Sequence, residues 1–325
     1  MMWAQVVHEL GGVDRLQYEE TETPTPGPGE VAIAVEAVGL NFPDLLIIGG
    51  QYQYSPDLPF IPGAEAAGRV QAIGEGVDHV AVDDRVIGSD LHGAMAETFI
   101  AQASKVFALP DQVSMPQGAG LGLTYGTSYH ALVDRAALTP GETLLITGAA
   151  GGVGTAAIQI GKALGARVIA AVGTDEKAEV ATTLGADETI VYSRESLKDR
   201  TKELTGGAGA DVIYDAVGGD TFLECLRCVN WGGRILVVGF ASGEIPHAPM
   251  NLPLLKGCSI VGVFWGAFAE RDPAANRANF DQLFRWAADG TIETHISAEY
   301  PLEEAPEALT LLARRGATGK VILTV

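Results

Sequence analysis

The sequence predicts an α/β protein in two parts: a β-rich segment at the start of the chain and a doubly wound parallel sheet after it. Three observations predict this. The rhythm of the chain changes near residue 118, from short β-rich runs to a strand–helix–strand repeat. The strands of the second part are continuous apolar runs, as expected when helices cover both faces of a sheet. One of those strands runs directly into a glycine-rich loop and then a helix.

In chain order, PTPGPGE at 24–30 is a Pro/Gly break, and VAIAVEAV after it reads as a strand. GRVQAIGEGV, DDRVIGS and AETFIA follow with Gly/Asp punctuation, the pattern of an antiparallel barrel or sandwich. Beyond residue 118 the candidate strands are 143–148, 167–172, 188–192, 211–217, 234–240 and 259–265. Segments such as TAAIQIGKALG and DEKAEVATTLG between them carry helical periodicity. From about 290 the tail returns to strand, helix and strand (HISAEY, LEEAPEALTLLARR, GKVILTV) and could rejoin the N-terminal barrel.

Composition narrows the function classes. Hydrophobic residues make up 47% of the 325, too many for a disordered chain. The formal net charge is -20, so the surface repels nucleic-acid phosphate and anionic lipid, and neither is an expected partner. The start, MMWAQVVHELGG, lacks the basic and apolar regions of a signal peptide. The uncharged stretch 143–161 is broken by Gly, Thr and Gln, so it does not read as a membrane span. Three cysteines cannot staple a chain this long and fit a reducing compartment, hence a cytoplasmic protein.

The strongest motif is TLLITGAAGGVGTAAIQIGKALGARVIAAVGT. Its loop, Gly148-Ala149-Ala150-Gly151-Gly152-Val153-Gly154, has Ala149 in place of the first glycine of the usual fingerprint and keeps Gly151 and Gly154. Strand, loop, helix and second strand fall where a dinucleotide-binding unit requires them. A turn free of side chains lets a pyrophosphate sit against the helix N-terminal amides. Backbone donors of this kind also hold an anion in an acidic protein. At the end of the second strand, where an acid usually holds the ribose 2′-hydroxyl, stand Gly173 and Thr174, with Lys177 within reach. That favours a 2′-phosphate and hence NADP(H). Asp175 and Glu176 point the other way, since either could approach the ribose instead.

VGLNFPDLLIIGGQY, FIPGAEAAGRV, the GAAGGVG loop, LTYGTSYHAL, IYDAVGGD, VVGFASG, VGVFWGAF and ATGKVILTV stand in this order. Together they resemble the zinc-independent quinone oxidoreductase branch of the medium-chain dehydrogenase/reductase superfamily, over essentially the whole chain. The resemblance implies a GroES-like catalytic domain over 1–120 and 290–325, a Rossmann NADP-binding domain over 121–289, and a homodimer. As a last strand, SIVGVFW would leave an apolar edge for a twofold partner to cover.

Zinc-using relatives carry a Cys three residues before the equivalent of Asp44 and a His just before the equivalent of Glu65. Asn41 and Ala64 stand there, and GAGLGL at 118–123, where a third ligand would fall, has no Cys. The six His are scattered at 8, 79, 92, 130, 247 and 295, so no metal is predicted. Cys225 and Cys228 form a lone CxxC in a helical segment and read as small core residues.

Without a metal, hydride transfer suits an electron-poor acceptor: a quinone, or a C=C bond conjugated to a carbonyl, as in an enoyl or alkenal reductase. A third reading is an NADPH-binding protein with vestigial activity. The resemblance makes Tyr52 the candidate phenol against the developing oxyanion, with Tyr54 close enough to be confused with it. It places Asn41 against the substrate carbonyl or cofactor and has Asp44 ordering the loop, with Ile48 where many relatives carry an Arg. Thr127 and His130 match positions near the nicotinamide or its ribose. Tyr192 resembles a residue flanking the adenosine phosphate. Val217 and Phe240, Ala241 and Ser242 fall at the ends of later strands, where such sheets bind ligands. Phe264 and Trp265 could serve the carboxamide and form an aromatic wall, and Lys320 closes the pocket in the family pattern or lies on the surface.

Overall fold

The structure is a computed structural model and describes all 325 residues. The chain divides into two compact units, Met1–Leu123 with Phe284–Val325, and Thr124–Leu283.

The first unit begins with the antiparallel pair β1 (Met2–Val7) and β2 (Leu16–Thr21). It continues with β3 (Glu30–Leu40), β4 (Glu65–Ile73), β5 (Arg85–Ser89), β6 (Thr98–Gln102) and β7 (Val106–Ala108). The long β3 pairs antiparallel with both β4 and β6. Its inward residues Val31, Ile33, Val35, Val38 and Leu40 join one core with Val70, Val86 and Phe99. The sequence pattern does not show the helix Phe42–Ile48 that follows β3. It starts because Pro43 is preorganised for the first turn and Asp44 accepts the backbone amide of the cap residue Asn41.

The second unit is a six-stranded parallel sheet of β8 (Thr143–Thr147), β9 (Arg167–Val172), β10 (Glu188–Val191), β11 (Ala210–Asp215), β12 (Val229–Val237) and β13 (Ser259–Gly262). Its strand order is β10-β9-β8-β11-β12-β13, the doubly wound arrangement with its reversal between β8 and β11. Leu144, Leu145, Ile146, Val168, Ile169 and Ile213 are fully buried, which is why these strands read as unbroken apolar runs. Cys225 and Cys228 are free and buried in the core-facing side of the helix Gly219–Cys228.

The tail forms β14 (Ile296–Pro301) and β15 (Lys320–Thr324), and β15 pairs antiparallel with β3, Val321 opposite Leu40. The tail thus completes the first unit's seven-stranded sheet.

Several expected boundaries move. The strand expected over 259–265 stops at Gly262, and Trp265 opens a helix, Trp265–Arg271. The strand expected over 234–240 starts earlier, at Val229, and ends at Val237, so Phe240 lies in the loop beyond it. Tyr192 likewise follows β10 rather than ending it, and Val217 follows β11. Beyond Gly262 and Val237 the chain stays apolar, with Val263 and Phe264 after the one and Val238 after the other, so periodicity alone does not mark where the sheet ends.

Candidate functional site

At the reversal point of the parallel sheet, β8 runs into Gly148, whose φ of +63° suits glycine. The helix Gly152–Ala163 begins at Gly151 without any side chain bonding its first amides. Those amides, and the positive end of the helix, are what an anionic group would meet. Gly154 is buried under the turn: a Cβ there would collide with the Gly148 carbonyl and come within 2.7 Å of the Ala149 Cα. Gly152 and Val153 are half-buried at the mouth of the turn. Asp215, buried at the end of β11, accepts from Thr147 Oγ1 at 2.6 Å and from the Val217 and Gly218 amides. Burial pushes its pKa up against those three donors. This side chain ties the ends of β8 and β11 together, at the foot of the glycine turn.

Around this turn the expected residues fall into groups. Gly173 and Tyr192 adjoin: a Cβ on Gly173 would lie 3.7 Å from the Tyr192 hydroxyl. Thr174 caps the helix Asp175–Thr183 by accepting from the Lys177 amide. Arg194, which the sequence reading did not single out, ion-pairs with Asp175 and so occupies one of the two acids that could have approached the ribose. The Ser242 amide donates to Val217 O at 2.9 Å and the Ala241 amide to Ala216 O at 3.0 Å, holding the segment from Phe240 to Ser242 beside the end of β11. Phe240 and Phe264 are exposed.

Thr127 is half-buried on the helix Gly122–Tyr129. Next to it, Gly126 gives room to the Trp265 indole, which a Cβ would approach to 2.9 Å. The indole N–H donates to Asn276 Oδ1 at 2.9 Å. His130 is buried, stacked on Phe268 with centroids 4.1 Å apart, and its Nδ1 lies 2.8 Å from Asp134 Oδ2. Asn279 donates to the same oxygen, so the ring's orientation is fixed from two sides.

The first unit holds a second constellation. Lys320 is not on the surface: it is 2% exposed, and Nζ donates to Leu40 O at 2.8 Å, Asn41 Oδ1 at 2.8 Å and Glu65 Oε1 at 2.7 Å. Those acceptors take all three ammonium hydrogens. Asn41 Nδ2 donates to Gly39 O at 3.0 Å and to Glu65 Oε1 at 2.8 Å. Both amide hydrogens are therefore engaged within the protein, and neither Asn41 nor Lys320 has a spare donor for a substrate carbonyl or a cofactor. Glu65 Oε2 accepts the Leu123 amide at 2.6 Å, and Gly122 leaves room for it. The GAGLGL stretch thus supplies a backbone donor to Glu65.

Asp44 is 1% exposed and accepts the Asn41 amide at Oδ2 at 2.8 Å, while Oδ1 has no hydrogen-bond partner. It orders the chain through this helix cap rather than through an ion pair. Burial raises its pKa to about 7, against the Asn41 amide and the Lys320 charge, with Glu65 adding to the rise. Tyr52 is half-buried on the same core, and burial, with the Asp44 charge, raises its phenol pKa. Tyr54 instead lies with its hydroxyl 3.3 Å from His92 Nδ1. Glu65 was missed as a site residue although it sits in the GAEAAG motif. A buried acid in an apolar, small-residue strand was the signal available.

Two family models match the chain: "Alcohol dehydrogenase GroES-like domain" over residues 27–111 and "Zinc-binding dehydrogenase" over 152–288. The chain is 42% identical over 296 residues to the quinone oxidoreductase-like protein 2 homolog of Nematostella vectensis, covering 90% of this chain and 81% of that one. It superposes on a quinone oxidoreductase of Pseudomonas syringae with a TM-score of 0.93 at 36% identity, covering all of both chains. The Escherichia coli quinone oxidoreductase complexed with NADPH matches with a TM-score of 0.92 at 32% identity, over 99% of this chain and 100% of that one.

Proposed function

The chain belongs to the quinone oxidoreductases of the medium-chain dehydrogenase/reductase superfamily, and on that premise we propose that it reduces a quinone with NADPH and without zinc. The observation that carries the reading is the uncapped helix start at Gly151–Gly154, at the reversal point of the parallel sheet, in a chain so similar to an enzyme solved with NADPH.

The residues fit the cofactor. Glycines at 151, 152 and 154 leave backbone amides open to the pyrophosphate, and a Cβ at 154 would displace the turn. Gly173, Thr174, Lys177 and Tyr192 take the adenosine ribose and its 2′-phosphate, with Arg194 adding a second cation nearby. Thr127, His130, Val217, Phe240, Ala241, Ser242, Phe264 and Trp265 belong to the nicotinamide half. Lys320 acts within the first unit, where it holds Glu65 and Asn41 in place.

When bound, NADPH supplies the hydride. The quinone takes up that hydride and one proton to become the hydroquinone, so the chain must meet a developing oxyanion and provide a path for the proton. Tyr52 does this: with its pKa raised, the phenol remains a hydrogen-bond donor through the neutral range. Independence from zinc is supported by the donor set itself. Asn41 and Ala64 replace two ligands, and the cation in this cluster is the Lys320 ammonium. A homodimer is supported by β13, which pairs only with β12 and leaves a sheet edge, and by the exposed Leu254 and Leu255. No helix is long and apolar enough to cross a membrane, and three free cysteines suit the cytoplasm.

The test offers NADPH, then NADH, with an ortho-quinone and an α,β-unsaturated ketone, following cofactor oxidation and weighing the products. Hydroquinone formed preferentially with NADPH supports the proposal. A saturated ketone without quinone turnover moves the activity to C=C reduction. Bound NADPH with no turnover of either makes the protein a nucleotide binder.

A further inference from the structure

The buried cluster below β3 contains two carboxyl groups and one ammonium, and the hydrogen bonds divide them unequally. Glu65 is partnered at both oxygens: Lys320 Nζ and Asn41 Nδ2 at one, the Leu123 amide at the other. Lys320 gives its three hydrogens to Glu65, Asn41 and Leu40 and has none for Asp44. Asp44 therefore receives one amide hydrogen, at Oδ2, while Oδ1 is both buried and unpartnered. An ionised carboxylate in that position would hold a charge without water and without a counter-ion of its own, far costlier there than the neutral acid.

The charged groups that act on Asp44 are Lys320 on β15 and Glu65 on β4, and Asp44 in turn acts on Tyr52, beyond the end of the helix Phe42–Ile48. The helix Ala305–Ala313, which packs on the helix Phe42–Ile48, buries Ala305, Ala308 and Leu309, none of them titratable.

From this charge count and bonding pattern we infer that Asp44 is a positioning residue kept as a neutral acid at neutral pH, and that its ionisation acts through Tyr52 to slow the reaction as pH rises. The inference rests on the assignment of Tyr52 as the phenol that meets the oxyanion. Burial drives Asp44 toward the neutral form, in agreement with the bonding. Tyr52 packs on the core that contains Ile47 and Ile48, on the helix that carries Asp44; once Asp44 is charged, the neighbouring phenol holds its proton more tightly, and a weaker acid stabilises an oxyanion less.

The experiment titrates Asp44 directly. Enzyme labelled with ¹³C-aspartate is followed by NMR without cofactor, and the Asp44 carboxyl is assigned through its own backbone amide and by its loss in Asp44→Asn. The assignment therefore survives a variant that fails to fold. The expected midpoint is near neutral, and Glu65→Gln moves it down by about one pH unit or more, because Lys320's charge is then left for Asp44. A midpoint below about pH 5 overturns the inference. In parallel, kcat/KM with NADPH and a quinone is expected to fall about tenfold from pH 6 to pH 9 in the parent enzyme and less than about twofold in Asp44→Asn. An equal fall in both overturns the link to Tyr52. Should no quinone turn over at any pH, the quinone reading fails, and the Tyr52 ultraviolet titration, identified by its loss in Tyr52→Phe, decides the link. A shift to lower pH in Asp44→Asn sustains it, and an unmoved titration overturns it.

Discussion

Lys320 Nζ lies 2.7 Å from Glu65 Oε1, with the two side chains 3% and 2% exposed, joining the chain's last strand to β4 inside the first unit. The pair is closed: every ammonium hydrogen and both carboxylate oxygens have partners. A buried pair satisfied in this way is costly to break from one side, because the survivor becomes an uncompensated buried charge.

Lys320→Met and Glu65→Leu are each expected to destabilise the protein by about 3–5 kcal/mol. The double variant should lose less than the sum of the two, since no lone charge is left. Urea unfolding of all four proteins measures the coupling; strict additivity would show that the pair does not act as a unit.

Asp44 gives stability an unusual pH dependence. Its folded pKa is about 7 against 3.8 for the free side chain, so between those values the folded state binds the extra proton. Stability from this group is complete below about pH 4 and declines as pH rises toward about pH 7, by up to about 4 kcal/mol. Asp44→Asn is therefore expected to unfold at higher temperature than the parent at about pH 8.5, with the advantage shrinking at about pH 5. Calorimetry at both pH values checks the sign.

At the glycine turn, Gly154→Ala and Gly151→Ala should separate. A Cβ at 154 meets backbone at Ala149 at 2.7 Å, whereas one at 151 lies 3.3 Å from the Gly148 carbonyl. Gly154→Ala is expected to cost about 1–3 kcal/mol of stability and to weaken NADPH binding at least about tenfold. Gly151→Ala should leave stability within about 1 kcal/mol. Fluorescence titration with NADPH and thermal melts report the two effects.

For cofactor choice, Lys177→Ala is expected to raise the KM for NADPH about tenfold, the loss of one charge-assisted contact, while the KM for NADH stays within about twofold. Equal effects on both cofactors would remove Lys177 from the 2′-phosphate site.

Leu254 and Leu255, on the helix Asn251–Lys256 that precedes β13, are 79% and 67% exposed. Replacing both with Glu is expected to halve the particle mass seen by light scattering while leaving unfolding of the monomer nearly unchanged. A parent protein already monomeric would dispose of the homodimer.

Much of this molecule could be read one stretch at a time. The apolar runs of β8, β9 and β11, the glycine turn after β8 and the buried cysteines of the helix Gly219–Cys228 depend on periodicity and turn chemistry over a few neighbouring residues. These signals stay in the sequence whatever the rest of the chain does. The return of the tail was legible for the same reason, as a strand–helix–strand pattern after 290.

What the sequence could not settle is which polar side chains meet. Lys320 is 255 residues from Glu65, and whether it lies on the surface or in the core depends on β15 pairing with β3 so that Val321 falls opposite Leu40. That register brings Lys320 to Asn41, whose side chain the sequence pattern offers to the substrate carbonyl or the cofactor. Likewise Arg194 meets Asp175 only because β9 and β10 end side by side. The two-part α/β architecture and the glycine turn were legible without the fold, because both follow from local pattern. Which groups share the buried cluster follows from the folded chain alone, because burial and counter-charge come from strands distant in the chain.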